Sequence, residues 1–99
     1  MALPVKWTEN ALEDYRVVIE YLLREWSVEI ATKFVDIVET RLETLSVFPN
    51  IGIRSAKNDT IRAIIVTRHN KIYYRVTDQF LEVLNIFDTR QNPAKNQYE

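Results

Sequence analysis

The sequence predicts an α+β domain: an N-terminal edge strand, then an antiparallel helical hairpin packed on one face of an antiparallel meander sheet. Three observations carry that prediction. Apolar residues recur at helical spacing through two stretches of the first half, and three runs rich in Ile, Val, Tyr and Phe fill residues 61–87. Pro49 and the single glycine, Gly52, mark the join between the two kinds of pattern. With 99 residues, 46% of them apolar and 27% charged, the chain has material for one core and reads as one domain over 1–99.

Residues 3–7 read as a short edge strand, since Pro4 cannot donate to a ladder and is tolerated at edges and strand starts. Thr8 is placed to cap a helix, with Glu9 favourably set in its first turn. Ala11, Tyr15, Val18 and Leu22 then form an inward stripe, widened by Leu12, Ile19 and Leu23, to about Glu25. Ser27 is the next cap. Ala31, Phe34, Val35, Val38, Leu42 and Leu45 give a second stripe that ends before Pro49. Residues 49–60 read as a loop. The strand-like runs cover 61–68, 71–77 and 80–87, and the breaks at His69-Asn70 and Asp78-Gln79 suit two-residue hairpins.

Several chemistries are excluded by composition. Without cysteine there is no disulfide framework, thiol nucleophile or Cys-based zinc site. One histidine, His69, expected in an exposed turn, leaves no metal cluster or nucleophile–base pair, and no Gly-rich phosphate loop is present. No cofactor is expected. No apolar run approaches a membrane span and the N-terminus lacks a signal-peptide core, so no membrane partner is expected and the cytoplasm is the expected location. Charge is unevenly spread. Residues 1–50 hold 5 Lys/Arg against 9 Asp/Glu, a net of −4, and residues 51–99 hold 8 against 5, a net of +3. A basic half of this kind suits a polyanion or an acidic partner.

Strand register sharpens that expectation. A two-residue loop at His69-Asn70 sets Arg68 opposite Lys71, Val66 opposite Tyr73, Ile64 opposite Arg75 and Arg62 opposite Thr77. Arg62, Arg68, Lys71, Tyr73 and Arg75 would then share an open face, with Ile61, Ala63, Ile65, Thr67, Ile72, Tyr74 and Val76 under the helices. Glu82 falls opposite Arg75, with Leu84, Ile86 and Asp88 pointing the same way and Arg90 just beyond. Arg54 joins this basic set as a candidate for binding a nucleic acid or an acidic partner. The plainer readings are an Arg75–Glu82 cross-strand pair, an Asp88–Arg90 pair, and solvated charges at a hairpin tip for Arg68 and Lys71.

Val5-Lys6-Trp7-Thr8 with Ala11, Asp14 and residues 19–22, then Leu45 with Pro49 and Gly52, the run at 71–76 and the ending at 86–93 together resemble the RelE/ParE toxin superfamily. The resemblance covers nearly the whole chain. It implies the toxin of a bacterial type II toxin–antitoxin (plasmid stabilisation) pair, with a cognate antitoxin as partner in a toxin–antitoxin hetero-oligomer. It also implies one of two activities. A ParE-like member binds DNA gyrase and has no hydrolytic centre. A RelE-like member is a ribosome-dependent mRNA endoribonuclease, and its catalytic set would fall on Arg62, Lys71, Arg90 and Tyr98, with Ile64 where a further basic residue belongs. Whether the chain is an enzyme stays open between these, a non-toxic member that only binds antitoxin being the third alternative. The incomplete basic set leans towards ParE. The strand at residues 3–7 is a candidate for antitoxin strand addition, unless Pro4 and Lys6 shield it.

Overall fold

A computed structural model describes residues 2–90 of the chain. Strand β1 (Val5–Trp7) leads into helices α1 (Glu9–Glu25) and α2 (Val28–Val47), followed by β2 (Ile53–Arg54), β3 (Ile61–Thr67), β4 (Asn70–Val76) and β5 (Leu81–Asp88). The strands form one sheet in the order β1-β5-β4-β3-β2. The helical hairpin and the meander are as expected from the sequence. The sheet is mixed rather than wholly antiparallel: β1 lies at the edge, parallel to β5, with Val5 opposite Leu81 and Trp7 opposite Val83. The short strand β2 was not foreseen. It sits inside the expected loop, where two residues pair with Arg62 and Ala63.

Both expected caps form. Thr8 Oγ1 accepts the Ala11 N–H at 3.1 Å, and Ser27 Oγ accepts the Ile30 N–H at 3.1 Å. Thr8 also ties α1 to the sheet, donating its hydroxyl to the Leu84 carbonyl at 3.0 Å and its N–H to Val83 at 3.1 Å. The inward stripes bury Ala11, Phe34, Val38, Leu42 and Leu45 against Val66, Ile72, Tyr74, Leu81, Val83 and Ile86. Trp7 stacks on Tyr15 with ring centroids 4.9 Å apart, and Tyr15 meets Phe34 at 5.9 Å. Each fully buried side chain of this size contributes about 1.5–3 kcal/mol.

Register departs from expectation in two places, and each is a one-residue irregularity that turns side chains over. The β3–β4 turn is Arg68-His69, with Thr67 opposite Asn70, because Thr67 Oγ1 accepts both the His69 N–H and the Asn70 side-chain N–H. A bulge between Ile65 and Thr67 then sets Arg62 opposite Tyr74 and Ile64 opposite Ile72. Ile64 and Val66 therefore join the helix-side core, while Ile61 and Ala63 lie with Tyr73 on the other face. Arg62 does not share a face with Lys71, Tyr73 and Arg75. In β5 a second shift lies between the partners of Tyr73 and Tyr74. Leu84 stays with Tyr73 on the face away from the helices, but Ile86 enters the helix-side core and Asp88 follows it. The expected Arg75–Glu82 register is observed.

Candidate functional site

The connection from α2 to β2 is held from within the sheet. Tyr74 is fully buried; its hydroxyl donates to the Pro49 carbonyl at 2.8 Å and accepts the Gly52 N–H at 3.0 Å. Arg62, on the same face of the neighbouring strand, donates Nη1 to the carbonyls of Asn50 at 3.1 Å and Gly52 at 2.8 Å. A Cβ at position 52 would stand 2.4 Å from the Tyr74 hydroxyl oxygen and 2.9 Å from the Ala63 carbonyl oxygen, so only glycine admits this approach. Burial raises the Tyr74 phenol above its ordinary pKa, with the Gly52 hydrogen bond and the Arg62 charge opposing.

The other basic candidates lie apart. Lys71, Tyr73 and Arg75 share the face away from the helices, where Arg75 Nη1 meets Glu82 Oε1 at 3.9 Å. Arg68 occupies the β3–β4 turn, and Arg54 is exposed on the two-residue edge strand opposite Arg62. Arg90 grips Asp88 with two nitrogens, Nε at 3.0 Å and Nη2 at 2.8 Å. The Arg90 side-chain bond holds the Asp88 carboxyl below its usual pKa, and the same bond raises the guanidinium further. Tyr98 lies outside the described residues. The described members of the expected set thus occupy both faces of the sheet, an edge and a turn.

Sequence reasoning missed a different feature. A groove of about 1220 Å³ opens between the helical hairpin and the ends of β3, β4 and β5. Val17, Tyr21, Trp26, Ile30 and Ile37 line its helical wall and are all substantially exposed. Its strand wall carries the β5 backbone beyond the reach of β1, and polar side chains of α1 service that edge. Thr8 and Asn10 donate to the Leu84 carbonyl, and Asp14 Oδ2 accepts the Ile86 N–H at 3.0 Å. Burial raises the Asp14 carboxyl above its ordinary pKa; the Ile86 hydrogen bond opposes that shift and Glu13 adds to it. Asn85, buried beside the β5 bulge and paired with Tyr73, has an Oδ1 with no hydrogen-bond partner among the described residues. A signal for Asp14 was present, since it falls three residues after Ala11 and four before Val18, within the inward stripe.

This geometry can be set beside known proteins. The family described as the ParE toxin of the type II toxin–antitoxin system parDE matches residues 5–93. The chain belongs to the ParE toxin family. Among solved structures it is similar to the chromosomal ParDE toxin–antitoxin system of P. aeruginosa, with 20% identity, TM-score 0.73, and coverage of 88% of this chain and 96% of that one. The YoeB/ParE toxin of Agrobacterium tumefaciens aligns at 17% identity and TM-score 0.63, over 87% and 98% of the two chains. The E. coli DinJ–YafQ toxin–antitoxin complex aligns at 10% identity and TM-score 0.55, over 91% and 96%. These likenesses show a shared fold. No curated protein matches in sequence. As a ParE-family chain this is the toxin of a type II toxin–antitoxin system, and no helix among its described residues is long and apolar enough to cross a membrane.

Proposed function

We propose that this ParE-family toxin arrests growth by binding DNA gyrase rather than by cutting RNA, and that a cognate antitoxin restrains it in a hetero-oligomer. The observation that carries the reading is the engagement of Arg62. Phosphoryl chemistry through a 2′-oxyanion needs cations converging on one phosphate and a group to take the proton. Arg62 instead turns its Nη1 onto the Asn50 and Gly52 carbonyls, on the opposite face of the sheet from Lys71. Arg90 is bound to Asp88 and borders the groove. A surface that acts by protein binding makes no demand for such convergence.

The groove is the proposed antitoxin seat. Exposed Trp26, Tyr21 and Ile30 are suited to an apolar partner segment. Structures of related fold, those of the ParDE system and of the DinJ–YafQ toxin–antitoxin complex, support a partner of this kind. The deciding experiment is induction of the chain alone in a bacterial host, with transcript 5′ ends mapped and gyrase–DNA cleavage complexes measured. Arrest with intact transcripts and accumulated gyrase complexes is the expected result. New cuts within translated codons would overturn it and bring Arg62, Lys71, Arg90 and Tyr98 forward as a ribonuclease set.

A further inference from the structure

The bulge in β5 is met by side chains from the start of α1 and from its cap. From Leu81 to Val83 the pairing with β4 is regular, with Val76 opposite Leu81 and Tyr74 opposite Val83. From Asn85 onward it is displaced by one residue, with Tyr73 opposite Asn85 and Lys71 opposite Phe87, and Leu84 is left over. Successive carbonyls of a regular strand point to opposite edges. Thr8 nevertheless takes two in succession, donating its N–H to Val83 at 3.1 Å and its hydroxyl to Leu84 at 3.0 Å. Asn10 Nδ2 donates to the same Leu84 carbonyl at 3.4 Å, and Asp14 Oδ2 accepts the Ile86 N–H at 3.0 Å. Without the bulge, the Leu84 carbonyl and the Ile86 N–H would both turn towards β4, away from these side chains. The three side chains therefore bind only the bulged register.

Apolar patterning does not choose that register. An uninterrupted ladder would set Ile72 opposite Asn85, Lys71 opposite Ile86 and Asn70 opposite Phe87. Phe87 would then replace Ile86 on the helix side, one large apolar residue for another, and Asn85 would be buried on that side instead of the other. Nor is the bulge free of cost, since it buries Asn85 with an Oδ1 that has no hydrogen-bond partner among the described residues. We propose that Thr8, Asn10 and Asp14 act as a register clamp: α1, and not the strand pattern, selects the bulged form of β5. The clamp thereby decides that Ile86 packs under the helices while Phe87 faces away. Thr8 is central because its hydroxyl does two things, accepting the Ala11 N–H as a helix cap and donating to Leu84. An aspartate could serve as the cap but has no donor for the strand. The clamp depends neither on the target of the toxin nor on where the antitoxin sits.

The test reads register directly, by disulfide cross-linking in a chain that has no cysteine of its own. Two pairs are introduced separately into the full chain. Lys71→Cys with Phe87→Cys face each other in the bulged register; Asn70→Cys with Phe87→Cys do so only in the uninterrupted one. With Thr8 and Asp14 intact, the first pair should close and the second stay reduced. Thr8→Asp keeps a strong helix cap and loses the donor to Leu84. It should lower closure of the first pair by about threefold or more and raise the second correspondingly. Thr8→Ser keeps the donor and should keep the original pattern. Asp14→Ala leaves the cap in place and should shift the pattern as Thr8→Asp does; it decides the matter if Thr8→Asp melts without a cooperative transition. Closure confined to the first pair in both variants overturns the clamp. Loss of both closures in a folded variant also overturns it, because the end of β5 has then come away instead of changing register. So does closure of the second pair with Thr8 and Asp14 intact.

Discussion

Gly52, Tyr74 and Arg62 act as one unit, and their substitution effects should follow from what each leaves behind. Gly52→Ala drives a methyl group into the Tyr74 hydroxyl and the Ala63 carbonyl, an overpacking cost of about 1–3 kcal/mol, checked by the urea midpoint. Tyr74→Phe keeps the ring but strands the Pro49 carbonyl and the Gly52 N–H, and should cost about 1–3 kcal/mol in the same measurement. Asp14 offers a test of pH dependence. Its carboxyl is raised in the folded state, so the native chain holds that proton more tightly than the unfolded one. The corresponding stability is complete below the ordinary aspartate value of 3.8 and is lost as pH rises through the folded value. Asp14→Asn removes the titration while keeping an oxygen for the Ile86 N–H. The variant should therefore gain on the parent in denaturant midpoint as pH rises from acid to neutral. The opposite trend would mean that the Ile86 bond to the charged form outweighs burial. Of these residues, Gly52 was visible as a lone glycine after Pro49, but nothing local linked it to Tyr74, twenty-two positions away.

At the scale of elements, the caps and stripes of α1 and α2 were legible because they depend on neighbours three and four residues apart. Thr8 and Ser27 look alike in sequence and differ in the fold, since only Thr8 also binds a strand carbonyl. Ser27→Ala should cost about 1 kcal/mol and Thr8→Ala about 1–2 kcal/mol, with urea midpoints to separate them. The strands were legible as runs, and the outward set of β4, Lys71, Tyr73 and Arg75, was read correctly beside inward Ile72, Tyr74 and Val76. The facing of β3 and of late β5 was not. A single bulge inverts every side chain beyond it, and in β3 it is the bulge between Ile65 and Thr67 that does so; the turn at Arg68-His69 by itself changes partners without changing faces.

Across the whole molecule, those inversions decide what the basic half of the chain can do. Charge reversal at Arg62 is a poor probe of catalysis, because it also breaks the grip on residues 50 and 52. Lys71, on the other face, separates the two activities. Lys71→Gln should leave growth arrest within about twofold if the toxin acts by protein binding, and should reduce it by about 10²-fold or more if Lys71 manages protons or charge in RNA cleavage. The sequence alone determined the α+β class, the helical hairpin, the meander, the absence of thiol chemistry, and a resemblance to the toxin superfamily that the ParE family match upholds. These rest on composition, on periodicities spanning a few residues, and on the order of motifs. Tertiary structure alone decided that β1 runs parallel to β5, that residues 53–54 pair as a strand, that a groove opens beside the helical hairpin, and that Arg62 and Lys71 lie on opposite faces of the sheet. Each of these depends on hydrogen bonds between residues far apart in the chain, whose register shifts with one inserted residue and leaves no periodic trace in the sequence.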